Sequence, residues 1–238
     1  MGILVVTGTG TDVGKTVVTA AVAALAADRG RGVAVLKPAQ TGVSAGAPGD
    51  LAEIRRLAGP VTTRELRRYP DPLSPEAAAR RSGVPPVTPA EAAAAAADLA
   101  DGHDVVLVEG AGGLLVRFDP SGGTVADIAW ALGAPVLLVA HAGLGTLNTT
   151  ALTAEALVRR GIECVGVVVG RWPRQPDLAA RSNLVDLPVA AGAPLLGVLP
   201  DGIARRSPAE FLAVARGSLS PWLDGDFDSD VFTAAHTA

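Results

Sequence analysis

Two lysines, a threonine and two carboxylates form a set of side chains able to handle phosphate. Gly14-Lys15-Thr16 closes the run Gly8-Thr9-Gly10-Thr11-Asp12-Val13-Gly14-Lys15-Thr16, which follows the apolar Ile3–Thr7 and feeds an alanine-rich segment. Glycines at 8, 10 and 14 can take backbone angles that a Cβ would forbid. Successive N–H groups can then turn inward at the mouth of a helix and cradle phosphate oxygens. Lys15 reaches the outer phosphates, and the Thr16 hydroxyl reaches a magnesium ion. The loop is a variant of the usual pattern, because five residues separate Gly8 from Gly14 and Thr9 stands where the usual spacing needs glycine.

Lys37 follows the apolar Val33–Leu36 and opens Lys37-Pro38-Ala39-Gln40-Thr41-Gly42; Glu109 follows Asp104–Val108 and opens Glu109-Gly110-Ala111-Gly112-Gly113. A carboxylate at the carboxyl end of a buried strand is where a phosphate-loop enzyme places an acidic magnesium partner. Asp50 precedes the helical spacing Leu51, Ile54 and Leu57, and capping that helix is by itself a sufficient reason for it. Thr16, Asp50 and Glu109 offer the oxygen ligands a small hard cation takes, directly or through water. Lysines facing a γ-phosphate would offset the charge that moves during transfer. One lysine is enough for a nucleotide switch, so Lys37 points to a second anionic reactant beside that phosphate. The turn Gly143-Leu144-Gly145-Thr146-Leu147-Asn148 also opens a helical pattern, and its residues are compatible with a plain helix start or with an anion site.

The elements that must position these groups follow a rhythm of short apolar runs between longer helical patterns, which is that of βα units on a parallel sheet buried on both faces. The expected fold class is α/β: a single-domain three-layer sandwich with about seven mostly parallel strands and helices on both faces. Strands are expected at 3–7, 33–36, 104–108, 135–140, 163–169 and 195–199, with a short one at 114–117. Helices are expected at 14–28, from 50, at 75–82, 89–100, 124–132, 147–160 and 178–185. The proline-broken stretch 59–90 reads as an excursion over the carboxyl edge of the sheet. The core domain spans residues 1–217. Residues 218–238 form a partly disordered tail, frayed over 224–238.

Composition sets limits on partners. A net charge of −4 gives no general attraction to nucleic acid or anionic membrane, so any anion site must be local. No apolar run approaches the roughly 20 residues that span a bilayer, and no basic segment precedes an apolar stretch at the start, so the expected location is the cytoplasm. Cys164 is a single cysteine on a core strand, and His103, His141 and His236 show no ligand spacing.

Four blocks in order resemble the dethiobiotin synthetase family: residues 8–16, 37–42, 108–113 and 144–148. The resemblance extends from about residue 2 to 200 and implies an ATP- and magnesium-dependent ligase acting on 7,8-diaminononanoate and CO2. In that family a carbamate forms on one amine, its oxygen attacks the γ-phosphate, and the second amine displaces phosphate to close a ureido ring. Carried onto this chain, Lys37 is the active-site lysine and Lys15 flanks the carbamate and γ-phosphate. Asp12, Val13, Gly14, Lys15, Thr16 and Val17 hold the phosphates. Thr16, Asp50 and Glu109 are the magnesium ligands, and Thr11 and Thr41 contact substrate. Gly110, Ala111 and Gly112 join the nucleotide site. The family is a homodimer in which Gly145, Thr146, Leu147 and Asn148 receive the substrate carboxylate bound to the other subunit. Gly170 and Arg171, with Pro200, Asp201 and Gly202, fall at the base pocket. Some members carry asparagine where this chain has Gly170, so base preference is the point of departure.

Two other classes share parts of the pattern. Partition or positioning ATPases carry a lysine where this chain has Gly10. The synthetase half of a glutamine-dependent amidotransferase needs a nucleophilic cysteine, for which Cys164 is a poor candidate.

Overall fold

Neighbouring residues of the first strand face opposite ways, and both faces are apolar. In the computed structural model, which describes residues 2–237, β1 (Ile3–Gly8) sends Leu4 and Val6 into one core and Val5 into another. The first core is closed by α1 (Lys15–Asp28), α2 (Asp50–Ala58) and α8 (Pro208–Ser218), through residues such as Val22, Ile54 and Phe211. The second is closed by α3 (Pro75–Ser82), α4 (Pro89–Ala100) and α5 (Val125–Leu132). It continues into a third cluster under α6 (Thr146–Arg159) and α7 (Leu178–Ala191). With aromatics at 3% of the chain, small aliphatic side chains fill the space, and alanine lines much of α1 and α4. Small residues let helices lie close on a sheet buried on both faces.

Seven strands form one sheet among the described residues. After β1 they are β2 (Val33–Thr41), β3 (Thr62–Tyr69), β4 (Val105–Gly113), β5 (Val136–Ala140), β6 (Cys164–Trp172) and β7 (Leu195–Pro200). Their order is β3-β2-β4-β1-β5-β6-β7, and every neighbouring pair is parallel. Helix α1 leaves β1 on one face while α5 follows the adjacent β4 on the other. A crevice therefore opens at the carboxyl ends of β1 and β4, where an open parallel sheet binds its ligands.

The strand count agrees with the sequence reading, but the set of strands differs. Leu114–Arg117 is a turn and not a strand, whereas Thr62–Tyr69, within the proline-broken stretch, is a full strand. It is the sheet edge, written TTRELRRY, and only Tyr69 is buried. Charges suit an edge that must not recruit another chain, and they erase the apolar signal that marks interior strands. β2 runs five residues past Leu36. Its pairing with β4 stops at Leu36↔Val108 while pairing with β3 continues to Thr41↔Tyr69. Pro38 thus lies where the strand is paired on one side only, a place that tolerates proline. Asp50 is the first helical residue of α2, and Gly49 is its cap. α7 runs past Val185 to Ala191 with Pro188 inside it.

The composition after Gly217 reads as fraying, whereas the described residues up to 237 hold two further short elements. Pro221–Leu223 forms a 3-10 turn with Leu223 buried, Phe227 is buried, and α9 (Ser229–Thr237) follows. The polar composition conceals four ring contacts, among Trp172, Phe227, Phe232 and His236.

Candidate active site

The loop after β1 turns into α1 through Gly14, whose φ of 99° lies in the left-handed region that glycine takes without strain. A Cβ on Gly14 would stand 2.7 Å from the Gly170 carbonyl oxygen, and one on Gly170 would stand 2.2 Å from the Val13 carbonyl oxygen. The phosphate loop and the end of β6 therefore touch backbone to backbone, and both positions require glycine. Gly10 differs from the expectation. Nothing lies within 4 Å of a Cβ built there and its φ is not positive, so it has no steric need to be glycine; its carbonyl accepts a 2.7 Å hydrogen bond from Lys15 Nζ. Asp12 takes the left-handed conformation instead, with φ 59°, an unusual backbone for a residue with a side chain.

At the end of β4, Glu109 is fully buried and joins the loop to β2. Its Oε1 accepts from Thr16 Oγ1 at 3.0 Å and from Lys37 Nζ at 2.7 Å. Lys37 Nζ also lies 2.6 Å from Asp50 Oδ2 and donates to the Gly110 carbonyl at 3.1 Å. Asp50 is placed by Gln40, whose Oε1 accepts the Asp50 N–H at 2.8 Å. The motif contains Gln40, but its type gave no reason to assign it this role.

The two lysines respond oppositely to one environment. Burial lowers Lys15, the positive Lys37 lowers it further, and Glu109, Asp50 and Asp12 restore only part, leaving it at about 8. Burial also acts most strongly on Lys37, but Glu109 and Asp50, by charge and by hydrogen bond, together outweigh it and raise its pKa. Lys37 is thus held charged, while Lys15 is a cation that a polyanion would stabilise.

These groups open into a cavity of about 740 Å³, within the size range of small-molecule sites. Thr11, Asp12 and Gly14 to Val17 form its wall on the loop side, Lys37 and Thr41 come from β2, and Asp50 from α2. Ala111 and Gly112 close the β4 side, and Arg171 lies at the β6 side. The sequence reading missed the opposite wall, Pro72-Leu73-Ser74-Pro75 with Val116, which gives the cavity an apolar side. Only the fold reveals it, because Pro72–Pro75 follow the unrecognised β3. Val13, Glu109 and Gly110 are buried beneath the cavity.

Two predicted groups lie outside these walls. Gly145, at φ 91°, caps α6, with Asn148 exposed and Leu144 93% exposed beside it. Pro200 pairs with Trp172, and the Asp201 N–H donates to the Trp172 carbonyl at 2.8 Å, so Pro200, Asp201 and Gly202 adjoin the end of β6. Among the described residues there is no cluster of three or more His, Cys, Asp or Glu able to hold a metal. The donors that do converge are oxygens. Glu109 Oε2 is buried with no partner, and the Thr16 hydroxyl and Asp50 carboxylate supply the rest of a set that fits a hard divalent cation.

A family model described as an AAA domain matches residues 3–204. The chain is 67% identical to a protein of Saccharopolyspora erythraea named ATP-dependent dethiobiotin synthetase BioD, over 94% of this chain and 98% of that one. It is 63% identical to the protein of that name from Streptomyces avermitilis, over 99% of each. Among solved structures, the Pyrococcus furiosus cell division ATPase MinD superposes with a TM-score of 0.56 at 19% identity, covering 90% of this chain and 97% of that one. At that identity the likeness shows the fold alone.

Proposed function

The chain belongs to the family of ATP-dependent dethiobiotin synthetases, and from that premise we propose that it converts 7,8-diaminononanoate, CO2 and ATP to dethiobiotin, ADP and phosphate with the residues of this cavity. The observation that carries the reading is the convergence of Lys15, Lys37 and Thr16 on one crevice through the buried Glu109.

One substrate amine attacks CO2 and loses a proton, giving a carbamate. A carbamate oxygen attacks the γ-phosphorus of ATP and ADP leaves, giving a carbamic-phosphoric anhydride. The second amine attacks the carbonyl carbon and loses a proton, phosphate departs with the bridging oxygen, and the ring closes. Lys37 holds the carbamate by charge, which its carboxylate partners guarantee by keeping it protonated. Lys15 faces the γ-phosphate and gains its proton fully when the polyanion arrives. Residues 12 to 17 supply the amides for the phosphate tail. Thr11 and Thr41 hydroxyls orient the diamine, and Leu73 and Val116 cover its alkyl chain. Thr16, Asp50 and Glu109 would hold a magnesium ion, which when bound neutralises phosphate charge. Gly170 and Arg171, with the Pro200–Gly202 turn, take the base side; glycine at 170 offers no side chain to read the base.

The turn Gly145–Asn148 lies outside the cavity walls, and Leu144 and Leu152 are exposed beside it. A second copy of the chain presenting that turn would complete the site for the substrate carboxylate, so the working form is a homodimer, located in the cytoplasm. A regulatory ATPase is disfavoured by Gly10, which stands where that class has lysine.

The deciding experiment is phosphate release with ATP, magnesium and bicarbonate, with and without 7,8-diaminononanoate. Release that depends on the diamine is expected; release indifferent to it would remove the reading.

A further inference from the structure

The C-terminal helix α9 has no buried residue of its own, and Val231 on it is 67% exposed. A nine-residue helix of Ser, Asp, Val, Phe, Thr, Ala and His would not persist alone, so whatever it packs against is the reason it is ordered. It lies along α7 and β7, and its two rings meet Trp172 at the end of β6. The Trp172 ring meets Phe232 edge-on at 5.6 Å and His236 at 5.5 Å, while Phe232 and His236 stack at 4.1 Å. His236 Nδ1 is 2.8 Å from the Phe232 carbonyl oxygen, and Phe227 lies 5.4 Å from Phe232. The chain has only three Trp, one Tyr and four Phe, and three of them gather here.

Trp172 directly follows Gly170-Arg171. Gly170 touches the phosphate loop at Val13 and Gly14, and Arg171 lines the cavity. The end of β6 thus has the nucleotide loop on one side and the aromatic face of α9 on the other. Edge-to-face aromatic contacts fix ring orientation as well as burying area.

We propose that α9 is a strut for the nucleotide site: Phe232 and His236 hold Trp172, and through it Gly170-Arg171, in register with the phosphate loop. Phe232 and His236 are positioning residues, acting on ATP affinity and not on the chemistry of the diamine. The inference rests on the assignment of Gly170-Arg171 to the nucleotide side.

The test uses the full chain with Trp130→Phe and Trp222→Phe, so that Trp172 is the fluorophore; both replaced tryptophans are exposed. Magnesium-ATP is titrated against this parent and against Phe232→Ala, Phe232→Tyr, His236→Ala and Arg171→Ala. For Phe232→Ala the expected result is a roughly tenfold rise in the Kd and KM of ATP with red-shifted Trp172 emission. The KM of the diamine and kcat at saturating ATP should stay within about twofold, with recovery in Phe232→Tyr. Where Phe232→Ala fails to fold, His236→Ala carries the same expectation. An unchanged ATP Kd, or a rise matched in the diamine KM, overturns the strut. If Arg171→Ala weakens ATP while Phe232→Ala does not, the strut falls and the nucleotide-side assignment stands; if neither does, both fall.

Discussion

Lys37 sits between two carboxylates, one of them fully buried, and this decides what its removal does. Lys37→Ala is expected to lower turnover by at least about a thousandfold, because the mechanism proposed above puts Lys37 on the carbamate and leaves ATP to the loop after β1. ATP affinity should change by less than about tenfold. The protein should also lose roughly 3–5 kcal/mol of stability, since Glu109 is left as an uncompensated buried charge. Steady-state kinetics, ATP calorimetry and denaturant melts read these three quantities separately.

Lys15 makes a different expectation, about pH. Its folded value is about 8 against an ordinary 10.5, so in the free protein the charged form disfavours folding, fully below about pH 8 and less as pH climbs toward 10.5. Bound ATP reverses this by stabilising the cation. At pH 8, where about half of Lys15 is neutral, ATP binding should take up as much as about half a proton, falling toward zero by pH 7, and affinity should weaken above pH 8. Calorimetry in buffers of different ionisation enthalpy measures the uptake.

At the scale of elements, the site depends on how strand ends meet. Gly170→Ala would force a Cβ to within 2.2 Å of the Val13 carbonyl oxygen, so the β6 end or the loop must shift. ATP affinity is expected to fall more than about tenfold, with a loss of roughly 1–3 kcal/mol in stability from overpacking, readable by nucleotide titration and thermal melts. This close contact explains what sequence alone could show. Glycine at 14 was legible from the loop pattern, and Lys37 and Glu109 from their places after apolar runs. Position 170 read only as the lack of a base-contacting side chain, because the contact joins residues far apart in the chain. β3 was illegible for a related reason: as the edge strand it carries arginines paired to Glu65, Glu91 and Asp98, where an interior strand would carry valines. The apolar wall Pro72–Pro75 was lost with it. Asp50 read both as a cap and as an oxygen ligand, and a single sequence cannot show that Lys37, thirteen residues earlier, reaches its carboxylate.

At the scale of the molecule, Leu178, Val185 and Val189 leave an apolar stripe along α7, and Leu144 and Leu152 lie exposed at α6. Patches of this kind mark interaction surfaces. If the Gly145–Asn148 turn serves the opposite subunit, each site draws on two chains. A Lys37→Ala subunit mixed with an Asn148→Asp subunit would then form heterodimers with one intact site each. Random pairing should restore about a quarter of the parent activity from two variants that are each inactive alone. No recovery, with dimers present by sedimentation, would place the turn outside the site. Among the described residues no helix is long and apolar enough to cross a membrane.

A cavity that phosphorylates a carbamate passes an oxygen of CO2 to phosphorus. Supplying 18O-labelled CO2 with ATP, magnesium and 7,8-diaminononanoate, without carbonic anhydrase, and weighing the phosphate released in the first turnovers, reads that transfer. One labelled oxygen per phosphate is expected, because the bridging oxygen of the mixed anhydride leaves with phosphorus. Phosphate carrying no label, formed at the same rate as product, would rule out the carbamate route.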